Sequence, residues 1–397
     1  MVNLHNMTYI PRQSEDLVMK YLKAFPVVGV MGPRQSGKST MLKKLLGNEY
    51  TFVTFDDLQV RQLFYDDPVR FFNTYSNKVV FDEAQQIPEL FPFLKMAVDS
   101  DRSNYGKFVV TGSGQFLLGK HVSESLAGRI GLVPLLPFQL SEIPENNRMH
   151  TFYWGCYPEI VTRDFYLADA WHNSYLETYL QKDVRQLLNI GDIHAFTLFL
   201  RALAANACQL FNLSSISRDT GIPVSTLKRW LSVLEASYII FQLQPYFNNF
   251  GKRIIKSPRI FFYDNGLLSF LVGITGKEDW ERGLMYGALF ENLIVADLMK
   301  KRWHEGQYFQ LYYHRTSNGD EIDLIIDFGQ NFHLVEIKAS HTYKPAFHKV
   351  IEKYKESASH SWIVYQGKTF KIDHQMMAIN YEEFLSISDW KSIDQYI

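Results

Sequence analysis

The sequence predicts an α/β protein in three successive parts: a parallel sheet around a phosphate-binding loop, a winged helix-turn-helix, and a second α/β unit with carboxylates on its strands. Three observations lead there. Gly32-Pro33-Arg34-Gln35-Ser36-Gly37-Lys38-Ser39-Thr40 follows the apolar run Val27 to Met31 and has the spacing of the P-loop. Two helical patterns between Leu213 and Ala236 are separated by Gly221-Ile222-Pro223 and followed by the strand-like run Tyr238 to Leu243. From Leu284 to Tyr365 the pattern runs helix, three strands, helix, strand.

The loop organises the chain. Its glycines let successive backbone N–H groups curl around a β-phosphate, and the following helix points its positive end at the same anion. Residues Gly32 to Thr40 therefore form the expected cradle, with Lys38 neutralising β/γ charge and Ser39 ligating Mg²⁺. Met41, Leu42, Leu45 and Leu46 make one apolar helical face, which Gly47 ends. The plain alternative is a glycine turn with an exposed lysine. No Asn-Lys-x-Asp string reads guanine, since Gly276-Lys277-Glu278-Asp279 lacks the Asn, so ATP with Mg²⁺ is expected over GTP.

A chain of 397 residues suggests two or three domains, and 46% hydrophobic residues suffice for packed cores. A net charge of −1 says nothing in favour of a broad nucleic-acid clamp, so any such contact requires a local basic patch. Cys156 and Cys208 have neither zinc-ligand spacing nor a disulfide framework and are expected as buried thiols. Met1 to Arg12 lacks the order of a signal peptide, and no run of about 18 apolar residues is present. The expectation is a cytoplasmic protein with no membrane partner.

After the P-loop helix, Thr51 to Phe55 reads as a strand, Pro68 opens a helix through Phe72, and Lys78 to Phe81 is a strand delivering Asp82-Glu83 at its carboxyl end. Asp82 is the candidate for the Mg²⁺ shell and Glu83 for orienting or deprotonating the attacking water; an acidic pair that only caps a helix is the alternative. Lys107 to Thr111 runs into Gly112-Ser113-Gly114-Gln115, with Ser113, or else Gln115, as γ-phosphate sensor and a simple turn as the alternative. Arg129, before the apolar stretch Ile130 to Leu136, is a candidate arginine finger, in its own site or in that of a neighbouring subunit of a homo-oligomer. A surface arginine capping a helix is its alternative.

In order, GPRQSGKST, VVFDEAQ, TGSGQ and SLAGR resemble a compact AAA-type ATPase domain. The continuation Tyr153-Trp154-Gly155-Cys156-Tyr157-Pro158-Glu159 resembles a prokaryotic family in which such an ATPase precedes a carboxyl-terminal domain of unknown function. The resemblance runs through nearly the whole chain. Cys156 stands where a second glycine is expected, which implies a tighter or differently packed loop, and the helical region that follows offers no convincing second sensor arginine. The division expected is 1–164 for the ATPase part, 165–260 for a helical connector and winged helix, and 261–397 for the carboxyl-terminal domain.

Phe165 to Leu188 reads as a helix with Tyr175, Leu176, Tyr179, Leu180 and Val184 on one face; Phe196, Phe199, Leu200, Leu203 and Ala207 mark a second. Leu213 begins the first helix of the helix-turn-helix and Ser225 caps the second, through Ala236. Ser225, Thr226, Lys228 and Arg229 lie where major-groove readers carry their contacts, and Lys252, Arg253, Lys256 and Arg259 form a stretch without acids. DNA is the partner this pattern suggests; a winged helix that only packs against protein is the alternative.

In the last part, Leu284 to Lys301 is an apolar-rich helix interrupted by Glu291, and Tyr308 to Arg315, Glu321 to Asp327 and Phe332 to Ala339 are strands, the first turn holding Asn318-Gly319. A helix over 345–357 and a strand from Ser361 to Tyr365 follow. Asp323 precedes Glu336 and Lys338, which share a strand face. An Asp followed one strand later by Glu-x-Lys resembles the restriction-endonuclease-like core. That resemblance implies Mg²⁺ held by Asp323 and Glu336, with Glu291 as an additional acid, and Lys338 activating water or stabilising phosphorane charge. The leading expectation is an ATPase acting on DNA with a nuclease-like domain. An ATP-dependent binding switch with an inactive nuclease-like domain is the second, and a protein-remodelling motor the third.

Overall fold

The computed structural model describes residues 9–113, 125–180, 192–246, 257–388 and 390. Gln115, Val184, Lys252, Arg253 and Lys256 lie outside them, as do the side chains of Tyr179 and Leu180. Among the described residues no helix is long and apolar enough to cross a membrane.

The first sheet contains β1 (Val27–Gly32), β2 (Thr51–Thr54), β3 (Val79–Asp82), β4 (Phe108–Ser113) and β5 (Ile130–Pro134) in the order β2-β3-β4-β1-β5. Every neighbouring pair is parallel. β1 is buried at every position, as a strand covered on both faces requires. The register pairs Gly32 with Ser113 and Phe81 with Val110, so the P-loop, Asp82 and Ser113 gather at one edge. Arg129 precedes β5, and its carbonyl accepts from the Val27 N–H (3.2 Å), which puts it at the opposite edge.

Past the sheet, Phe165 and Leu167 have φ of 60° and 57°, left-handed values that stop a helix from starting at Phe165. An α-helix, Ala168–Ser174, runs directly into a π-helical stretch, Tyr175–Leu180. Cys156 is buried and its N–H donates to Asp264 (2.6 Å), so the loop docks on a later helix cap. Burial pushes its thiol up to about 12, leaving it inert. Helix Ile193–Ala205 buries Phe196 and Phe199, whose rings pack on Trp230 of helix Val224–Ala236 (5.4 and 5.7 Å). The helix before it, Leu213–Thr220, is capped by Asn212 and closed by Gly221 at φ 74°. Pro223, not Ser225, is the N-cap of Val224–Ala236; Pro at the boundary already fixes the extended entry, and Ser225 lies inside the first turn.

The expected wing is not a separate element. β6 (Ile240–Pro245) pairs antiparallel with β7 (Arg259–Phe262) but also parallel with β8 (Gln310–Arg315). With β9 (Glu321–Asp327), β10 (Phe332–Ile337), β11 (His360–Tyr365), β12 (Phe370–Lys371) and β13 (Met376–Asn380) they form one sheet, β12-β13-β11-β10-β9-β8-β6-β7. A boundary at 260/261 therefore cuts through β7. The long helix starts at Tyr286, leaving Leu284 fully exposed, and ends at His304. The helix expected over 345–357 is instead three 3₁₀ turns, Pro345–His348, Ile351–Lys353 and Lys355–Ser357. Ile351 is buried while Lys353 (2.5 Å) and Tyr354 (3.3 Å) are drawn to Asp320, so these three anchors sit within one tight turn.

His333 on β10 lies against His360 on β11, ring centroids 5.0 Å apart, and its Nδ1 accepts from the Trp362 indole (3.4 Å). Burial, then the neighbouring His360, lowers its pKa to about 3. Because the folded value lies below the ordinary one, stability is complete above about pH 6.5 and falls as acid is added toward the folded value. Between pH 7 and 5 this residue accounts for a loss of about 2 kcal/mol. Urea midpoints at the two pH values are expected to differ less in His333→Phe than in wild type, and an unchanged difference would refute the assignment.

Candidate nucleotide site and carboxylate cluster

Ser39 Oγ donates to both Asp82 oxygens (2.8 and 3.0 Å), and Thr111 Oγ1 donates to Oδ1 (2.5 Å). Hard oxygen donors converge there, the set that Mg²⁺ takes. The Glu83 N–H donates to Thr111 Oγ1 (3.1 Å), and a φ of 54° turns the chain there. Gln85 Nε2 donates both to the Glu83 carboxylate and to Ser113 Oγ (3.2 Å). The two sequence candidates for hydrolysis, Glu83 and Ser113, are thus joined through a glutamine.

Lys38 is buried and its Nζ donates to the Gly32 (3.1 Å) and Pro33 (2.9 Å) carbonyls. Gly32 admits no side chain, since a Cβ would lie 2.0 Å from the Leu135 carbonyl oxygen, and Gly37 has φ +91°. Gln35 Oε1 and Ser36 Oγ are buried without hydrogen-bond partners among the described residues, polar atoms that suit a phosphate-binding loop. Arg34, Lys38, Ser39, Thr40 and Glu83 line a cleft of about 220 Å³. It adjoins a second cleft of about 370 Å³ lined by Tyr9, Ile10, Phe138, Pro158 and Thr162, and the two share Gln35, Gly37 and Thr40. The P-loop residues, Asp82, Glu83 and Ser113 are therefore together. Arg129 is not with them: its guanidinium grips Asp99 (2.7 and 3.0 Å) at the far edge of the sheet.

Sequence reasoning missed Thr111, Gln85 and Arg12. The first two lie inside the quoted TGSGQ and VVFDEAQ strings; Arg12 carried no signal. Its guanidinium is buried over the Phe138 ring (4.6 Å) and donates to the Ser36 carbonyl (2.8 Å), the Leu136 carbonyl (2.6 Å) and Glu142 (3.1 Å).

In the other sheet the register Val335 to Leu324 brings Glu336 opposite Asp323. Lys338 Nζ lies 2.5 Å from Glu336 and 3.4 Å from Asp323, whose Oδ2 also accepts from the Ile337 N–H (2.8 Å). Burial, then Asp323, pushes Glu336 up to about 8, with Lys338 pulling the other way. Arg259 is only 5% exposed and pairs with Glu291 (3.0 Å) and Glu321 (3.5 Å). It is therefore no part of an exposed basic patch; β7 carries it inward. Burial likewise pushes Glu291 up to about 8 against the pull of Arg259. Among the described residues no three His, Cys, Asp or Glu gather as metal donors, and the Glu291 carboxylate is held by Arg259. On helix Val224–Ala236, Ser225, Lys228 and Arg229 are exposed and Thr226 half-buried.

Residues 24–144 match the family model described as "AAA domain", 147–278 that of "Domain of unknown function (DUF8612)" and 286–384 that of "Domain of unknown function (DUF4143)". The "Uncharacterized protein Rv2008c" of Mycobacterium tuberculosis is 32% identical over 333 residues, 83% of this chain and 74% of its own. Mb2031c of Mycobacterium bovis gives the same figures. The "Uncharacterized protein MJ1544" of Methanocaldococcus jannaschii is 22% identical over 344 residues, 78% of this chain and 73% of its own. Among solved structures, a Walker-type ATPase of Pyrococcus abyssi covers 65% of this chain and 94% of its own at 17% identity, with a TM-score of 0.46.

Proposed function

The chain belongs to one family with the two mycobacterial proteins and carries an AAA-type ATPase domain followed by a DUF8612 and then a DUF4143 domain; on that premise we propose that it binds and hydrolyses ATP and uses nucleotide state to change how its later parts hold DNA. The observation that carries the ATPase reading is the convergence of the Ser39 and Thr111 hydroxyls on Asp82, with Glu83 next in sequence. Lys38 leaves the Gly32 and Pro33 carbonyls for the phosphates. Ser39 and Asp82 would hold Mg²⁺, which neutralises charge on the β- and γ-oxygens when bound. Glu83 orients the attacking water, itself held by Gln85, while Ser113 senses the γ-phosphate. Tyr9, Ile10 and Pro158 offer the nucleoside an apolar cleft. Arg129 can serve only a neighbouring subunit's site, since its own is at the other edge of the sheet; that role needs a homo-oligomer and release from Asp99.

Exposed Lys228 and Arg229 on the second helix of a winged helix support DNA as the partner. The helix–β8–β9–β10–turn–β11 order and the Asp323–Glu336–Lys338 group support a restriction-endonuclease-like domain. There Asp323 and Glu336 would hold Mg²⁺ and Lys338 would steady the scissile phosphate. One observation favours the second reading, a binding switch without cleavage: Lys338 already pairs with both Asp323 and Glu336, and Arg259 with Glu291.

The test is purified protein with mixed DNA, Mg²⁺ or Mn²⁺, with and without ATP. Glu83→Gln is expected to keep ATP while hydrolysis slows by roughly 100-fold or more; retained turnover would give the water to another residue. DNA cleavage that vanishes in Glu336→Ala/Lys338→Ala makes the domain a nuclease. Salt-sensitive DNA binding without cleavage makes it a switch, and neither, with ATPase stimulated by a protein partner, makes the chain a remodelling motor.

A further inference from the structure

We propose that nucleotide occupancy at the P-loop is transmitted to the DUF4143 domain through a buried polar joint in which Arg12 and His304 are positioning residues. The proposal rests on the reading that the P-loop binds ATP. The segment Leu135 to Glu142 lies between the loop and the helix Tyr286–His304 and is bonded to both. On the loop side, the Leu135 N–H donates to the Met31 carbonyl (2.5 Å), and Arg12 spans from the Ser36 carbonyl (2.8 Å) to the Leu136 carbonyl (2.6 Å). On the helix side, the Leu136 N–H donates to His304 Nε2 (2.9 Å), the Leu140 N–H to Asp297 (2.7 Å), and Lys300 Nζ to the Phe138 carbonyl (2.9 Å).

Inter-domain faces are ordinarily wet and loosely held. This one is buried: His304 is 0% exposed and Asp297 and Lys300 each 2%. Since Nε2 accepts, the neutral ring leaves Nδ1–H to donate to Gln139 Oε1 (2.9 Å). Burial and the nearby Arg12 and Lys300 charges hold the imidazole well below its usual range, which keeps that arrangement. Gln139 N–H donates to Glu142 (2.6 Å), whose other oxygen receives Arg12, so the ring of bonds closes. A fully satisfied buried network of this kind moves as a unit.

The switching element is Lys38, with two alternative sets of partners: the loop carbonyls it holds here and a bound phosphate. Exchange between them changes the loop at Ser36, and the same Arg12 guanidinium carries that change to Leu136, one bond from His304. The helix is a single rod whose other end bears Glu291, roughly 20 Å away at 1.5 Å per residue, paired with Arg259. A shift of the rod therefore reaches the carboxylate cluster, and by linkage a change at the cluster alters nucleotide affinity.

Hydrogen exchange of the full chain, with and without a non-hydrolysable ATP analogue and Mg²⁺, tests this, with analogue binding measured separately by calorimetry. In wild type, exchange in peptides covering 134–142 and 286–304 is expected to slow by about threefold or more. His304→Leu is expected to bind the analogue within about twofold of wild type and keep the response in 134–142, yet lose it in 286–304; His304→Gln, which retains an acceptor for the Leu136 N–H, restores it. Lys300→Met, measured in parallel, weakens the same response and keeps the test alive should His304→Leu not fold. Binding without any change in 286–304, or an unaltered change in both His304→Leu and Lys300→Met, overturns the joint alone. Failure of wild type to bind the analogue overturns the nucleotide site and the joint with it.

Discussion

Lys38→Ala weakens ATP binding by between roughly 30-fold and several thousand-fold, the range that follows from losing about 2–5 kcal/mol when one partner of a desolvated charge pair is truncated. Backbone N–H groups of the loop remain in the variant, but they carry partial charges and cannot replace an ammonium on the β/γ oxygens. The fold is expected to survive. Lys38 is buried with its Nζ donating to two loop carbonyls, so deleting it removes a desolvated cation and leaves carbonyls beside an open cleft. Melting temperature is expected to stay within about 3 °C of wild type. Titration calorimetry with ATP and Mg²⁺ gives the affinity, and undiminished binding by a folded variant would end the P-loop assignment.

What was legible in the sequence was local. The P-loop, the Asp82-Glu83 pair and the strands that deliver them are short strings whose chemistry depends on spacing, and the parallel sheet gathers them at one edge as the alternation of strands and helices implied. The approach of Asp323 and Glu336 was legible for the same reason, because the short turn over 328–331 sets the β9–β10 register and the strand period sets the face. What was not legible is set by distant partners. Arg12 is unremarkable until the chain folds it between residues 24 and 130 positions away. Arg129 read as a finger because a motif has no near or far edge; only the pairing of β5 with β1 gives it one. The run Tyr238 to Leu243 read as the start of a wing because nothing in it announces that β8 will take its other edge.

Arg259 is the sharpest case, and its replacement has the largest expected effect on stability. In sequence it stands among basic residues and reads as part of a DNA-binding patch; in the fold its Nε donates to the Cys208 carbonyl (2.7 Å) while the rest of the guanidinium faces Glu291, Glu321 and the Tyr313 ring. Arg259→Leu leaves the largely buried Glu291 without its cation and is expected to lose about 3–5 kcal/mol, read as a shift in urea midpoint. Burial already raises Glu291, and removal of the guanidinium raises it further. A carboxyl whose folded pKa lies above its unfolded value favours the folded state below about pH 4.5 and loses that advantage as pH climbs through the folded value. The deficit of Arg259→Leu is therefore expected to be smaller at pH 5 than at pH 8. Arg259→Leu/Glu291→Leu removes both charges and is expected to recover most of the loss, because the penalty arises from the stranded carboxylate rather than from the missing attraction. A deficit below about 1 kcal/mol with no pH dependence would make Arg259 a solvated cation after all, and would return it to the surface on which the DNA reading drew.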